Sequence, residues 1–400
     1  VTTPSPSVVP IRRSGPVDRD LVTWIVVGLI VVACFALRKD VAWVAKFPES
    51  WILPLGEWVQ VFMNWFVENF RWLFKSVSWL LEWPLEWIVS LLQWLPWPAT
   101  AVVFVILAYV SAGWRLALFT AFSLFYMLLI GYWTETMNTL ALVFVSVPLS
   151  LTTGLFLGIA AFRSARINRI VQPSLDLMQT FPTFAYLIPI MLLFGFGPVV
   201  GLIASAIYAC PPMVRNVILG LQRVPSDVVE SALMSGATKR QLLWWVQLPT
   251  GRSNIMMGVN QTLMAALSMV IVAAFIGGSA DMGWEVLKAI RKAQFGEGML
   301  AGAVIVLIAM VMDRTSRGFV DRERSLHAPG QSSLWTRHRA LWLALGTGAM
   351  FIGLSSFFPA LKSYPDELVY YPSSALNNWI NDLTRDYASI WEGMKRTLLF

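Results

Sequence analysis

This sequence predicts an all-α, polytopic membrane protein, and three observations carry that prediction. The residues are 57% hydrophobic and only 13% charged, and the mean hydropathy is +0.63. That places the chain among multispanning membrane proteins and leaves no room for a soluble domain of comparable size. The apolar residues gather into nine runs, near 21–37, 99–113, 116–131, 137–162, 176–194, 199–218, 255–278, 298–313 and 341–359. Several are shorter than the ~20 residues that a straight crossing needs, so tilted or broken spans are expected. The cations sit between the runs rather than in them, so the net charge of +7 reflects membrane edges and not a nucleic-acid surface.

Taken in order, residues 1–20 read as a cytoplasmic tail. The run behind Arg12, Arg13 and Arg19 lacks a small-residue cleavage site and reads as a retained anchor. Residues 21–98 join this anchor to an external segment that holds half of the tryptophans. Trp51, Trp58, Trp65, Trp72 and Trp79 recur every seventh residue, which on a helix keeps one face with a drift of ~20° per heptad. Glu57, Glu68, Arg71, Lys75, Glu82 and Glu86 supply polar edges. Indole favours the headgroup zone, so amphipathic scaffold helices lying on the external membrane surface are expected. The alternative, an aromatic cage for a quaternary ammonium, fits less well, because regular spacing makes a flat face and not a box.

Residues 99–318 form the transmembrane core. With the polar stretch at 222–250 in the cytoplasm, alternation puts Arg163, Arg166, Arg169, Arg215, Arg223, Lys239, Arg240 and Arg252 inside. The basic loop 319–340 follows them, and the short links near 132–136 and 195–198, without Lys or Arg, fall outside. Arg38, Lys39, Lys288, Arg291 and Lys292 are the exceptions, assigned to the lipid boundary or to an amphipathic segment. Residues 341–400 add a further span and an external polar segment with Trp379, Tyr387, Trp391, Lys395 and Arg396. This order resembles that of 1–80 and suggests either a second permease unit beginning near 341, in a tandem permease, or a C-terminal scaffold.

The stretch from Ser226 to Pro249 is a charged island of two short helices. Ser226 is placed to N-cap the first, with Asp227 and Glu230 near its positive end. Gly236 suits a left-handed turn after it. Thr238 and Gln241 have the spacing of a capping box, and Pro249 is expected to stop the second helix. Such a knuckle suits a membrane subunit that receives a mechanical push from a soluble partner.

Glu230, Ala232, Gly236, Val246, Leu248 and Pro249 keep an order that resembles the "EAA" loop of ABC-importer permeases, with Ser231 in place of the usual second Ala. Asp176-Leu-Met-Gln-Thr-Phe-Pro-Thr-Phe-Ala-Tyr-Leu-Ile-Pro189 and Asn260-Gln-Thr-Leu-Met-Ala-Ala-Leu-Ser-Met269 resemble two helices of the glycine betaine/proline betaine/choline importer permeases. The likeness covers roughly 134–318. The outer loop Ile276–Trp284 departs from the pattern, which bears on the contact with a binding protein. The resemblance implies a type I ABC-importer transmembrane domain in the bacterial inner membrane. It implies ATPase subunits docking at Glu230, Ala232, Gly236, Ala237, Leu248 and Pro249. A soluble substrate-binding protein would dock outside, and a second permease unit, as homodimer or tandem half, would complete the path. Met178, Gln179, Thr180, Phe181 and Phe184 would line or gate that path, with Asn260, Gln261 and Ser268 on the facing helix; interhelical packing is the alternative for the second set.

No G-x-x-x-x-G-K-[ST] occurs in these residues, so ATP hydrolysis is expected in another subunit. No Ser/His/Asp or Cys/His set suggests catalysis, and no cofactor is implied. Cys34 and Cys210 lie in apolar runs and read as buried small hydrophobes; His327 and His338 do not make a metal site. An ion-driven secondary transporter would carry ionisable groups near the midplane, whereas Asp176 and Asp313 lie near span ends. A non-transporting scaffold would explain the tryptophans but not the knuckle.

Overall fold

The computed structural model describes residues 19–37, 53–277, 281–325, 334–355, 364–370 and 372–388. The chain divides into two units, 1–69 and 70–400. The first holds α1 (Arg19–Leu37) and the start of α2 (Leu55–Trp94). α1 is apolar and exposed on all sides, Cys34 included. The structure thus exposes Cys34, where the sequence suggested burial.

Within the tryptophan-rich segment, Leu55–Trp94 form one 40-residue helix, α2, that accommodates Pro84. Trp58, Trp65, Trp72 and Trp79 are each more than half exposed along it; Trp51 lies outside the described residues. The indoles form a ridge and not a box. In the second unit the opposite face of α2 carries Leu85 and Leu92 into the main core. At Leu95-Pro96 the chain turns by 105° into α3 (Trp97–Ala112). Gly113, at φ +86°, links α3 to α4 (Trp114–Leu129).

The core is built on α5 (Trp133–Arg163), α8 (Pro198–Gln222) and α12 (Arg252–Gly277). α8 is buried along most of its length, from Val199 to Leu221. Glycines let its neighbours approach. A Cβ on Gly154 would lie 2.6 Å from Met213 Cβ, and one on Gly158 2.7 Å from Val217 Cβ. Both pairs are four residues apart, so α5 offers a G-x-x-x-G groove to a ridge of α8. Ser150 Oγ, one turn earlier, donates to the Ala206 carbonyl at 2.9 Å.

The expected span 176–194 is instead broken. α6 (Ala165–Thr180) and α7 (Thr183–Phe194) meet at 108° around Phe181-Pro182. Pro182 lacks an N–H and biases Phe181 to the extended region, where its φ, ψ are −66°, 137°. Ser164 caps α6 by accepting from Ile167 N–H. α6 is a polar amphipathic helix, and only the 12 residues of α7 are continuously apolar.

Between α12 and the last core helix lies α13 (Met282–Arg291), N-capped by Asp281. The cations that alternation places outside are partly matched there. Lys288 pairs with Glu285 at 2.8 Å, and Arg291 sits 5.9 Å from the Trp284 ring centre. α14 (Phe295–Ser325) runs well past the expected end of its span. The Asp313–Arg317 pair at 2.8 Å supports the continuation. Residues 319–340 are thus not simply a loop: α14 extends to Ser325, and α15 (Leu334–Ser355) begins at Leu334.

α15 packs on α3, and α16 (Ser373–Asp386) packs on α14. Gly296 N–H donates to Asn377 Oδ1 at 2.6 Å, and Tyr370 N–H to the Leu129 carbonyl at 2.7 Å. The described part of 341–400 thus contacts α3, α4 and α14.

Candidate functional site

The knuckle begins with α9 (Ser226–Met234). Ser226 is its first helical residue and not its cap. Pro225 precedes it, and Ser226 Oγ donates to Asp227 Oδ1 at 3.2 Å. The exit has the geometry of a Schellman turn. Ala237 N–H donates to the Ala232 carbonyl at 3.1 Å, and Gly236 N–H to the Leu233 carbonyl at 2.9 Å. Gly236 has φ +81°, which costs glycine nothing and other residues strain. Ala232, Gly236 and Ala237 thus form one closed turn.

Three pieces complete the knuckle: α10 (Lys239–Gln241), a π-turn over Leu242–Gln247, and α11 (Leu248–Thr250). The capping box is present. Gln241 N–H donates to Thr238 Oγ1 at 3.3 Å, and Thr238 N–H to Gln241 Oε1 at 2.8 Å. Thr238→Ala should destabilise the knuckle by about 1 kcal/mol, seen as faster amide exchange across 239–247. Pro249 does not stop this segment. It sits in the first turn of α11, where no N–H is required of it, and the break falls at Gly251.

The knuckle is fastened to the core at three places. Leu243, 2% exposed, and Leu248 pack with Ile159, Val217 and Leu221. Arg163 Nη2 reaches the Lys239 carbonyl at 3.5 Å. Gly251 lies directly on Gly220: a Cβ on Gly251 would be 2.7 Å from the Gly220 carbonyl oxygen. The outward side is exposed. Glu230 stands there with Val228, Leu233 and Met234, the last 90% exposed. These apolar side chains escaped the sequence reading; their signal was an apolar pair, Leu233-Met234, at the end of an otherwise polar helix.

The second set of residues gathers around the broken helix. Met178 is half-buried, and Gln179, Thr180, Phe181 and Phe184 are exposed. Thr180 Oγ1 back-bonds to the Asp176 carbonyl at 3.0 Å. Phe184, Ile188 and Leu192 form an exposed apolar stripe at four-residue spacing on α7, and Phe196 is exposed just beyond its end. Asp176 is tied to α8 by Arg215 at 2.6 Å. Both groups of that pair are more than a third exposed, so the bond orients α6 more than it stabilises the fold.

α12 does not simply face the broken helix. It packs chiefly on α8 and α5, and less on α7. Gln261 Oε1 accepts from Asn216 Nδ2 of α8 at 2.8 Å. Ser268 is exposed, and its hydroxyl back-bonds to Met264 at 3.0 Å. Asn260 Oδ1 and Thr262 Oγ1 are buried without a hydrogen bond. Among the described residues no cluster of His, Cys, Asp and Glu could hold a metal ion.

Residues 150–321 match the family described as binding-protein-dependent transport system inner membrane component. The chain is 43% identical over 274 residues to the glycine betaine/proline betaine transport system permease protein ProW of Salmonella typhimurium, covering 68% of this chain and 77% of that protein. It is 37% identical over 273 residues to the glycine betaine transport system permease protein OpuAB of Bacillus subtilis, covering 68% and 96%. It is 33% identical over 333 residues to the trimethylamine N-oxide transport system permease protein TmoV of Ruegeria pomeroyi, covering 80% of this chain but 50% of that protein. The chain therefore spans about half the length of that relative. An all-helical core with several apolar helices, a knuckle between its two most closely packed helices, and these likenesses lead to one statement: the chain belongs to the family of inner-membrane components of binding-protein-dependent transport systems.

Proposed function

We propose that this chain is the membrane-spanning permease subunit of an ATP-driven importer for glycine betaine or a related methylammonium osmolyte. The observation that carries the reading is the knuckle. Its turn is closed by backbone hydrogen bonds, its tip is exposed, and its far end rests on α8 through Gly251 and Gly220. A push at Glu230 or Met234 therefore reaches the core through rigid contacts. ATPase subunits dock on this surface, with Glu230, Ala232, Gly236, Ala237, Leu248 and Pro249 as the coupling residues. A soluble binding protein delivers the ligand to the opposite face, and a second permease unit completes the path. The names of the related permeases point to the substrate class. Reconstitution with ATPase and binding protein, followed by ATP-dependent uptake of glycine betaine, trimethylamine N-oxide and choline, tests the reading. Uptake of none of them sinks it.

Met178, Gln179, Thr180, Phe181 and Phe184 are assigned to the path, because the break at Pro182 leaves backbone carbonyls that a hydrated lumen can satisfy. Ser268 joins them on exposure. Gln261 is better explained as a polar tie to Asn216, and Asn260 stays with the path through its unpaired oxygen. Single cysteines at 179 and 268 should change their labelling rate between nucleotide-free and ATP-trapped states. Equal rates at both positions would remove them from the path.

A further inference from the structure

The face away from the knuckle carries two adjoining cavities. Their position follows from α5. Its end, Arg163, touches the knuckle, and its 31 residues put Trp133 about 45 Å away. Around Trp133 lies a cavity of about 340 Å³, within the ~300–1,000 Å³ usual for small-molecule sites. Its walls include Trp97, Trp133 and Tyr364, with Gln93, Thr134 and Met137, and among the described residues no charged side chain lines it. Trp97 and Tyr364 meet edge to face with ring centres 5.5 Å apart. The segment bearing Tyr364 is held down by the Tyr370–Leu129 hydrogen bond. Three aromatic rings from three separate parts of the chain thus converge on one space, unlike the ridge on α2.

Beside it lies a second cavity of about 380 Å³ with Glu82, Glu86 and Asp281 in its wall. Gln93 borders both cavities, and its Nε2 donates to Asn138 Oδ1 at 2.9 Å at the boundary. The acidic cavity attracts cations to the neighbourhood but repels a carboxylate. The aromatic one, without formal charge among its described lining residues, tolerates a zwitterion. A quaternary ammonium has no N–H to donate, so aromatic faces are the side chains that recognise it without a full counter-charge.

We propose that the cavity walled by Trp97, Trp133 and Tyr364 binds the quaternary ammonium head of a small ligand on the permease itself. The ligand class rests on the function proposed above; the site does not depend on ATP coupling. The head could belong to a free solute or to a phosphocholine lipid, and both present the same chemistry.

The test uses the full chain in phosphatidylethanolamine/phosphatidylglycerol nanodiscs, without ATPase or binding protein. Radiolabelled choline binding is measured by equilibrium dialysis, against the neutral isostere 3,3-dimethylbutan-1-ol. Trp133→Leu and Tyr364→Leu should each weaken choline binding by about tenfold, and Trp133→Phe by about threefold at most. Trp72→Leu, on the exposed ridge, should change nothing. The isostere should bind at least tenfold more weakly than choline. Equal binding of isostere and choline, or unchanged choline binding in both leucine variants, overturns the proposal. Competition by phosphatidylcholine nanodiscs supports it with a lipid head as ligand; indifference to lipid, with choline still bound, supports it with a free solute. Uptake that fails while choline binding persists counts against the proposed function alone. Uptake that proceeds with no choline binding counts against this site alone.

Discussion

Gly236→Val should leave the chain inserted in the membrane and cut ATP-coupled uptake about tenfold or more. The open space around Gly236 makes the argument simple: a Cβ there would meet nothing within 4 Å. The penalty is therefore backbone strain at φ +81°. A left-handed residue other than glycine costs roughly 1–2 kcal/mol, and β-branching adds to it. Since ~1.4 kcal/mol is tenfold in an equilibrium constant, the balance favouring the closed turn would fall about tenfold or more. Gly236→Asn, which tolerates this region better, should fall in between. Glu230→Lys acts differently, reversing charge on the exposed face without touching the turn, and should show as reduced copurification of the ATPase. Normal uptake with Gly236→Val would exclude the turn from force transmission.

Gly158→Leu should have the second large effect, on the fold itself. The added Cβ alone would lie 2.7 Å from Val217 Cβ, and the nearby Val214 carbonyl leaves no room to shift. Overfilling a packed contact costs typically 1–3 kcal/mol, and here it would also part α5 from α8. The thermal midpoint in detergent should drop, and uptake with it. Gly302→Ala is the matched control, because a Cβ at Gly302 meets nothing within 4 Å. Helix propensity favours that change by up to about 1 kcal/mol. If the two variants melt alike, close glycine packing is not what holds α5 on α8.

The helical class, four of the nine expected spans and the capping box were legible because each depends on local sequence. Hydropathy marks spans, and Thr238 with Gln241 needs only three residues of context. What failed depended on context beyond the window. Ser226 lost its cap because Pro225 already sets the entry to α9. Pro249 failed to stop the knuckle because a π-turn precedes it, in which Leu248 N–H bonds back to the Leu243 carbonyl. The 176–194 run hid its break because hydropathy averages over Pro182. Gly154 and Gly158 went unread as a packing motif, because only the structure shows that α8 fills the groove they leave. For Gln261 the sequence left path and interhelical packing both open, because it cannot show that Asn216 stands 2.8 Å away.

The hairpin of α3 and α4 has a consequence for the lipid around it. Each helix has 16 residues, so each is about 24 Å long, against ~30 Å of hydrocarbon in an ordinary bilayer. One residue, Gly113, joins them, leaving no slack to reach further. At the tip, Arg115 needs headgroups or water, and its guanidinium lies 5.7 Å from the Trp114 ring. Lipid next to this hairpin must thin by several ångströms to meet it. Bilayer thickness is therefore expected to bear on this hairpin more than on α5 and α8, whose 31 and 25 residues leave length to spare.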